Sequence, residues 1–134
     1  MSSTQQTDET TSPAGLSIVL PTFNEGDSIA SVIGSLLTLS EQEPLEILVV
    51  DDDSSDGTTE TVRAMALQDP RIRIIHRLGR SGLASAIKEG LIDAIHPRAI
   101  VMDSDGQHEP ASVLDALRML DQQQLDLVAG SRFL

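Results

Sequence analysis

The stretch EILVVDDDSSDGT (46–58) carries an apolar run directly into a cluster of acidic and small polar residues. Its first part, EILVV (46–50), is apolar on both faces, which is typical of a central strand in a parallel sheet. The Asp56-Gly57 pair then favours the start of a helix, which the Asp69-Pro70 pair would end. A buried strand followed at once by a helix indicates an α/β fold.

The same alternation continues along the chain on both sides of this stretch. Further strands are predicted at LSIVL (16–20), ended by Pro21, and at RIRII (71–75), AIVM (99–102) and LDLVAG (125–130). The pattern of RIRII is that of a more exposed strand. Helices are predicted from about Asp27 to Leu39, Leu83 to Ile95 and Pro110 to Asp121. This order predicts a three-layer α/β/α fold with a mostly parallel, Rossmann-like sheet joined by right-handed crossovers.

The composition limits which ligands the chain can bind. Its 134 residues amount to one domain, 40% are apolar, and the net charge of -12 comes from 21 acidic against 9 basic residues. Such a chain repels nucleic acid, and it can hold a phosphorylated ligand only through a cation or a local basic patch. The chain has no cysteine, which excludes disulfides and thiolate metal sites and fits a reducing compartment.

The first fifteen residues, MSSTQQTDETTSPAG (1–15), are polar and contain no secretory signal. We expect a disordered tail there and one domain over 16–134, because so few apolar groups cannot offset the entropy of ordering. No apolar run reaches the roughly 18 residues of a membrane helix. Since the chain stops four residues after Gly130, we expect the complete enzyme to continue beyond it.

Polar residues are crowded at the carboxyl ends of four predicted strands. In open α/β sheets that edge is where ligands bind. The four segments are 21–25, 51–57, 103–108 and 130–133.

Asp103 and Asp105 are two residues apart in the third of these segments, so both can point into one cleft. Two carboxylates that leave room for phosphate oxygens suit Mg²⁺ or Mn²⁺. The alternative is that Asp-Ser-Asp-Gly is only a turn. A calcium loop of the EF-hand type is excluded, because its twelfth position would be Leu114, or Arg63 if it began at Asp52.

The second segment contains three consecutive aspartates (51–53). We expect Asp52 to accept a hydrogen bond from a base N–H or a ribose hydroxyl, and Asp56 to have a structural role at the helix start. Phe23 could cover a nucleobase or pack against a helix. Glu25 could favour the helix dipole, contact a ligand, or do both.

Arg132 is the basic residue best placed to meet a phosphate, because it follows a strand end. Arg77, Arg80 and Lys88 surround the glycine turn at 79–82, and we expect all three to lie on a solvated surface.

Five motifs in order carry a resemblance that covers 16–134. They are LPTFNE (20–25), LVVDDDSSDGT (48–58), GLASAIKEG (82–90), VMDSDGQH (101–108) and AGSRF (129–133). Together they resemble glycosyltransferase family 2, which has the GT-A fold, and within it the dolichol-phosphate mannosyltransferase and polyprenyl-phosphate glycosyltransferase branch.

The resemblance implies a role for each matching residue. Pro21, Phe23 and Glu25 would line a nucleotide pocket, in which Val50 and Asp52 hold the base and the ribose. Asp103, Ser104 and Asp105 would form the Asp-x-Asp element that binds the metal and the diphosphate, with Gln107 as a further ligand on the metal side. Arg132 would contact the diphosphate or the acceptor phosphate.

The reaction implied is inverting transfer of a sugar from GDP-mannose or a UDP-sugar to a polyprenyl or dolichyl phosphate. A phosphate oxygen is already anionic, so no general base is required. Catalysis would fall to Asp103, Asp105 and Arg132 through the metal and leaving-group stabilisation. We expect the full protein to be cytoplasmic, at the inner face of a membrane, and to have membrane-facing elements after this domain. Whether it forms homo-oligomers is left open.

Three alternatives remain. A receiver domain has a similar acidic pocket, but there the paired acids follow the first strand and a lysine follows the fifth. A nucleotidyltransferase usually has a glycine-rich basic loop after strand one, which LPTFNE is not. A binding module without turnover is the third.

Overall fold

The computed structural model describes residues 15–41 and 44–104, four helical positions (113, 115, 118 and 119), and the backbone of 127–130. The strands are β1 (Leu16–Thr22), β2 (Leu45–Asp51), β3 (Ile72–His76), β4 (Arg98–Met102) and β5 (Leu127–Gly130). The helices are α1 (Ile29–Leu37), followed by a 3₁₀ turn (Thr38–Glu41), α2 (Thr58–Gln68) and α3 (Leu83–Asp93). Residues 1–14 of the predicted tail, and the predicted helix start at Pro110, lie outside the described residues.

The five strands form one parallel sheet in the order β3-β2-β1-β4-β5. Every residue of β2 is buried, as its apolar sequence predicts, whereas β3 lies at an edge and is mostly half-buried. The strand order reverses direction between β1 and β4. Ligand sites in such sheets lie at the carboxyl end of this switch point.

Helices cover both faces of the sheet, which confirms the predicted three-layer α/β/α architecture. Helix α1 packs on one face, where Ile29, Ile33 and Leu36 meet Ile18 and the rest of the larger core. Helix α3 lies on the opposite face. Because β4 is placed on the far side of β1, a right-handed crossover from β3 must carry α3 across that other face.

Strand β1 continues through Pro21 to Thr22, so the prediction that Pro21 ends the strand is wrong. Thr22 O accepts a hydrogen bond from Asp52 N at 3.0 Å, which directs this residue toward β2. Alternate residues of a parallel strand face alternate neighbours, so the missing N–H of Pro21 falls on the β4 side. Because Pro21 faces β4, it costs no hydrogen bond to β2. On the β4 side, the pairing of β1 with β4 has already ended at Val19 and Val101.

Gly90 allows α3 to approach the sheet closely. A Cβ at this position would lie 2.5 Å from Val19 Cγ1 and 3.1 Å from Val50 Cγ2. Both contacts are inside van der Waals distance, so any larger residue would push the helix away from the strands.

Two cross-strand pairs fix the register of β1 against β2. Ser17 pairs with Glu46, and its Oγ donates to Glu46 Oε2 at 2.6 Å. Thr22 pairs with Asp51, and its Oγ1 donates to Asp51 Oδ1 at 2.6 Å. A slip of one residue would break both pairs and turn the apolar set of β2 to the wrong faces.

At the amino-terminal edge of the sheet, several elements form hydrogen bonds to the buried carboxylate of Glu46. It is 2% exposed and also accepts hydrogen bonds from Arg73 Nη1 at 2.7 Å and Ile95 N at 2.8 Å. Burial raises the pKa of Glu46, but the hydrogen bonds from Ser17, Ile95 and Arg73 outweigh it, so this pKa lies below its ordinary value. The carboxylate thus ties β1, β3 and the end of α3 to β2.

We expect Glu46→Ala to lower the free energy of unfolding by about 1.5–3 kcal/mol, because it leaves Ser17 Oγ and Ile95 N without their buried acceptor. Urea denaturation at pH 7 measures this. Glu46→Gln, which keeps the shape but not the charge, should lose less. Since the folded pKa is depressed, the stability from Glu46 is present above its unfolded pKa of about 4.3 and is lost as pH falls through the folded value. A wild-type advantage over Glu46→Gln that did not shrink with acidification would contradict this.

Candidate functional site

Asp51, at the carboxyl end of β2, is fully buried and joins three parts of the site. Besides Thr22 of β1, its carboxylate accepts hydrogen bonds from Ser54 N at 3.0 Å, Ser54 Oγ at 2.6 Å and Thr59 Oγ1 at 2.7 Å. Burial raises the pKa of Asp51, but the bonds from Ser54, Thr22 and Thr59 lower it below its ordinary value. The residue is therefore held as an anion that shapes the loop after β2 and attaches it to α2.

Hydrogen bonds from backbone to side chain connect the loop after β1 to the loop after β2. Three consecutive N–H groups of the first loop donate to two side chains of the second loop and to the first side chain of α2. The pairs are Asn24 N to Ser54 Oγ (2.8 Å), Glu25 N to Thr58 Oγ1 (3.0 Å) and Gly26 N to Asp56 Oδ2 (3.0 Å). The two loops therefore form one unit, and Asp56 has the structural role expected for it, since its other oxygen also accepts from Thr58 N at 3.1 Å.

Phe23 is 60% exposed at the start of the first loop. The next residue, Asn24, has a left-handed backbone (φ 55) and accepts a hydrogen bond from Ser55 N through Oδ1 at 3.0 Å. This bond offsets the unfavourable backbone conformation. The apolar ring of Phe23 is therefore largely open to solvent beside the joined loops.

Asp52 connects the second loop to the glycine turn before α3. Its Oδ2 accepts from Gly82 N at 2.8 Å, and its Oδ1 lies 3.1 Å from Arg77 Nε. The Arg77 guanidinium continues to Ser85 of α3, donating from Nη2 to Oγ at 2.6 Å. Asp52 thus organises the turn that forms one wall of the site.

Arg77 is 1% exposed, so the prediction of a solvated surface position is wrong for this residue. The bond from Arg77 N to Asp51 O, at 2.8 Å, extends the pairing of β3 with β2 by one residue, and the Arg77 side chain lies beside Asp52. For Arg80 and Lys88 the prediction is confirmed, since both are exposed and Arg80 pairs with Glu89. Only the position of Arg77, directly after a strand, distinguished it in the sequence.

Asp103 and Ser104 follow β4 on the other side of the switch point. Asp103 is half-buried, whereas Ser104 is 2% exposed, and its Oγ donates to Pro21 O at 3.1 Å. The Ser104 carbonyl accepts from Ser28 Oγ at 2.8 Å. The start of the Asp-x-Asp element is therefore held beside the loop after β1.

Several predicted ligand residues lie beyond the described part of the chain, namely Asp105, Gln107 and Arg132. Among the residues that the structure describes, no three acidic or histidine side chains form a metal-binding group. Asp103 does fit a divalent cation by chemistry and position, since a carboxylate at the switch point is a hard oxygen ligand at the usual ligand edge.

Two predicted nucleotide residues are turned inward. The Val50 side chain is fully buried beneath α3, and the Ser104 hydroxyl is buried against Pro21. Contacts from these two residues to a ligand would have to come from their main-chain atoms. By contrast, Pro21 and Glu25 are half-buried at the carboxyl edge, and Phe23 is open.

A parallel sheet with polar and acidic residues at the carboxyl edge of its switch point has the arrangement with which open α/β domains bind ligands. The family model of glycosyl transferase family 2 matches residues 17–134, and the chain belongs to this family.

The relatives include dolichol-phosphate mannosyltransferases. That of Mycosarcoma maydis is 35% identical over 92% of this chain and 44% of its own length, and that of Pyrococcus furiosus is 32% identical over 88% and 33%. The resemblance to this branch is thereby confirmed. The chain spans less than half the length of either relative.

Solved structures of glycosyltransferases have the same fold. The mannosyltransferase PcManGT of Pyrobaculum calidifontis, in complex with GDP-Man and Mn²⁺, superposes with a TM-score of 0.67 at 26% identity, covering 82% of this chain and 33% of that one. Glucosyl-3-phosphoglycerate synthase of Mycobacterium tuberculosis, with Mn²⁺ and UDP, gives 0.65 at 28%, covering 80% and 39%. The fold is therefore the nucleotide-binding half of GT-A.

The strand order also decides against a receiver domain, whose sheet has the order 2-1-3-4-5 rather than the 3-2-1-4-5 found here. Within the described residues, no helix is both long and apolar enough to cross a membrane.

We expect Asp51→Asn to lower the free energy of unfolding by about 1.5–3 kcal/mol, because an amide replaces an anion that accepts four hydrogen bonds. Urea denaturation at pH 7 measures the loss. Asp115→Asn is the matched control, since its side chain is 71% exposed. Equal denaturation midpoints for the two variants would contradict the role of Asp51.

Proposed function

We propose that this domain binds the nucleotide-sugar donor of an inverting, metal-dependent glycosyltransferase. The transferred sugar is mannose, glucose or a similar hexose, and the acceptor is a polyprenyl or dolichyl phosphate. The observation that carries the proposal is the convergence of three loops at the switch point, with Phe23, Asp52 and Asp103 on separate loops of one edge.

Each of these residues would contact a different part of the nucleotide-sugar donor. Phe23 would cover the base or ribose, Asp52 would accept a hydrogen bond from one of them, and Asp103 with Asp105 and Gln107 would hold the cation. Bound Mg²⁺ or Mn²⁺ would neutralise the diphosphate as it departs. Arg132 would supply a planar donor to the diphosphate or the acceptor phosphate.

The charge of the chain supports a cation at this edge. At a net charge of -12, the protein repels a diphosphate unless something screens the carboxylates. The carboxylates of Asp52 and Asp103 both lie at the ligand edge, and Arg77 is the cationic side chain placed beside Asp52. A divalent cation would supply the positive charge needed near Asp103.

The proposed donor site predicts metal-dependent binding. Calorimetric titration with GDP, UDP and their mannose and glucose derivatives should give tighter binding with Mn²⁺ than without it. Losing one outer partner of a metal ligand costs about 10- to 100-fold in metal affinity, so the double variant Asp103→Ala, Asp105→Ala should lose the Mn²⁺-dependent gain entirely. Asp115→Ala, on the exposed helix position, should retain it. Wild-type binding that ignores Mn²⁺ would refute the metal site.

Asp52 is expected to act on the nucleoside rather than on the metal. Asp52→Asn should weaken GDP or UDP binding about fivefold, because the amide replaces a charged acceptor with a neutral one, a difference of about 1 kcal/mol. The loss should be the same with and without Mn²⁺. Asp53→Asn is the control, since Asp53 is 62% exposed and pairs with His76 instead. A loss confined to the Mn²⁺ titration would place Asp52 at the metal and contradict its assignment.

Turnover is tested by assaying sugar transfer to a short-chain polyprenyl phosphate. The chain should be assayed alone and within a longer version that includes the following residues. Transfer by the longer version only would show that turnover requires the following residues, and donor binding by the short chain is measured by the calorimetric titration.

A further inference from the structure

The start of the Asp-x-Asp element is attached to the rest of the site by two serine hydroxyls. Ser104 Oγ donates to Pro21 O at 3.1 Å, across 83 positions of sequence, and Ser28 Oγ donates to Ser104 O at 2.8 Å, across 76 positions. The backbone pairing of β1 with β4 has already ended, at Val19 and Val101.

Pro21 explains why side chains are needed at this point. Its missing N–H lies on the β4 side and removes one bond of the ladder between the two strands, which pair only as far as Val19 and Val101. Its carbonyl still requires a donor, because an unpaired buried carbonyl is costly. The Ser104 hydroxyl supplies that donor and so replaces the next backbone bond of the ladder.

Ser28 is diverted from the usual role of a residue in its position. It immediately precedes α1, where a serine side chain normally accepts a hydrogen bond from an N–H of the first turn. Here Ser28 makes no such capping bond. Its hydroxyl donates instead to the Ser104 carbonyl, and at a longer 3.4 Å approaches Glu25 O. The helix start loses a local bond, and the turn after β4 gains a long-range one.

We propose that Ser28 and Ser104 are positioning residues that fix the backbone directly after Asp103, so that the Asp103 carboxylate lies where it can bind the cation. The inference rests on the proposed function, because it concerns the same metal site. It assigns the turn's placement to α1 and β1, whose loop also carries Phe23 and Glu25. The two parts of the donor site are thereby kept at a fixed separation.

The hydroxyls should therefore affect the metal-dependent part of binding. Ser28→Ala and Ser104→Ala are each expected to raise the Mn²⁺ concentration needed for half-maximal tightening of GDP and UDP binding about fivefold, the effect of one lost hydrogen bond. For Ser28→Ala, the affinity for GDP or UDP without metal should remain at the wild-type value. Direct Mn²⁺ binding, followed by the electron paramagnetic resonance of free Mn²⁺, gives a readout independent of turnover.

The chain offers matched controls. Ser40 Oγ donates to Leu37 O at 2.8 Å, so Ser40→Ala removes a serine-to-carbonyl bond of the same length away from the site. Ser28→Thr keeps the hydroxyl and should restore Mn²⁺ affinity. Urea denaturation of each variant shows whether a change in Mn²⁺ affinity arises from unfolding. Ser28→Ala and Ser40→Ala with equal stability but different Mn²⁺ affinity would support the inference.

Two outcomes separate the inference from the function on which it rests. A wild-type chain whose GDP and UDP binding ignores Mn²⁺ would overturn both. A wild-type chain with metal-dependent binding, but with Ser28→Ala and Ser104→Ala indistinguishable from Ser40→Ala, would overturn the positioning role alone.

Discussion

The buried carboxylate of Asp51 is the constraint on which the proposed donor site depends. An anion without solvent contact is tolerated only when donors surround it, and here Thr22, Ser54 and Thr59 supply them. Each donor comes from a different element: β1, the loop after β2, and α2. The hydrogen bonds to this one carboxylate therefore fix the relative positions of all three elements. They also fix the position of the neighbouring residue, Asp52, at the edge of the sheet.

Strand β2 has a buried carboxylate at each end and only apolar residues between them. Glu46 holds the amino-terminal edge and Asp51 the carboxyl edge, and each is met by a hydroxyl from its register partner on β1. The first carboxylate fastens the end of α3 to the sheet, and the second organises the loops of the site. The same strand thus separates a structural end from a functional one, as expected in open α/β sheets.

The second half of the site is attached differently. Because the pairing of β1 with β4 ends at Val19 and Val101, the turn after β4 is held by hydroxyls rather than by a backbone ladder. This arrangement links the proposed metal site to the start of α1, and it would hold a cation bound by Asp103 at a set distance from the loop that carries Phe23.

The sequence by itself determined the parallel three-layer fold, the central place of β2 and the edge at which polar residues gather, because apolar periodicity and strand-end composition are local properties. Motif order also identified the family. Only the tertiary structure decided that Arg77 is buried beside Asp52, that β1 runs through Pro21, and that Ser28 reaches Ser104. These features depend on which distant backbone groups the fold leaves without partners, and no local pattern of residues encodes that.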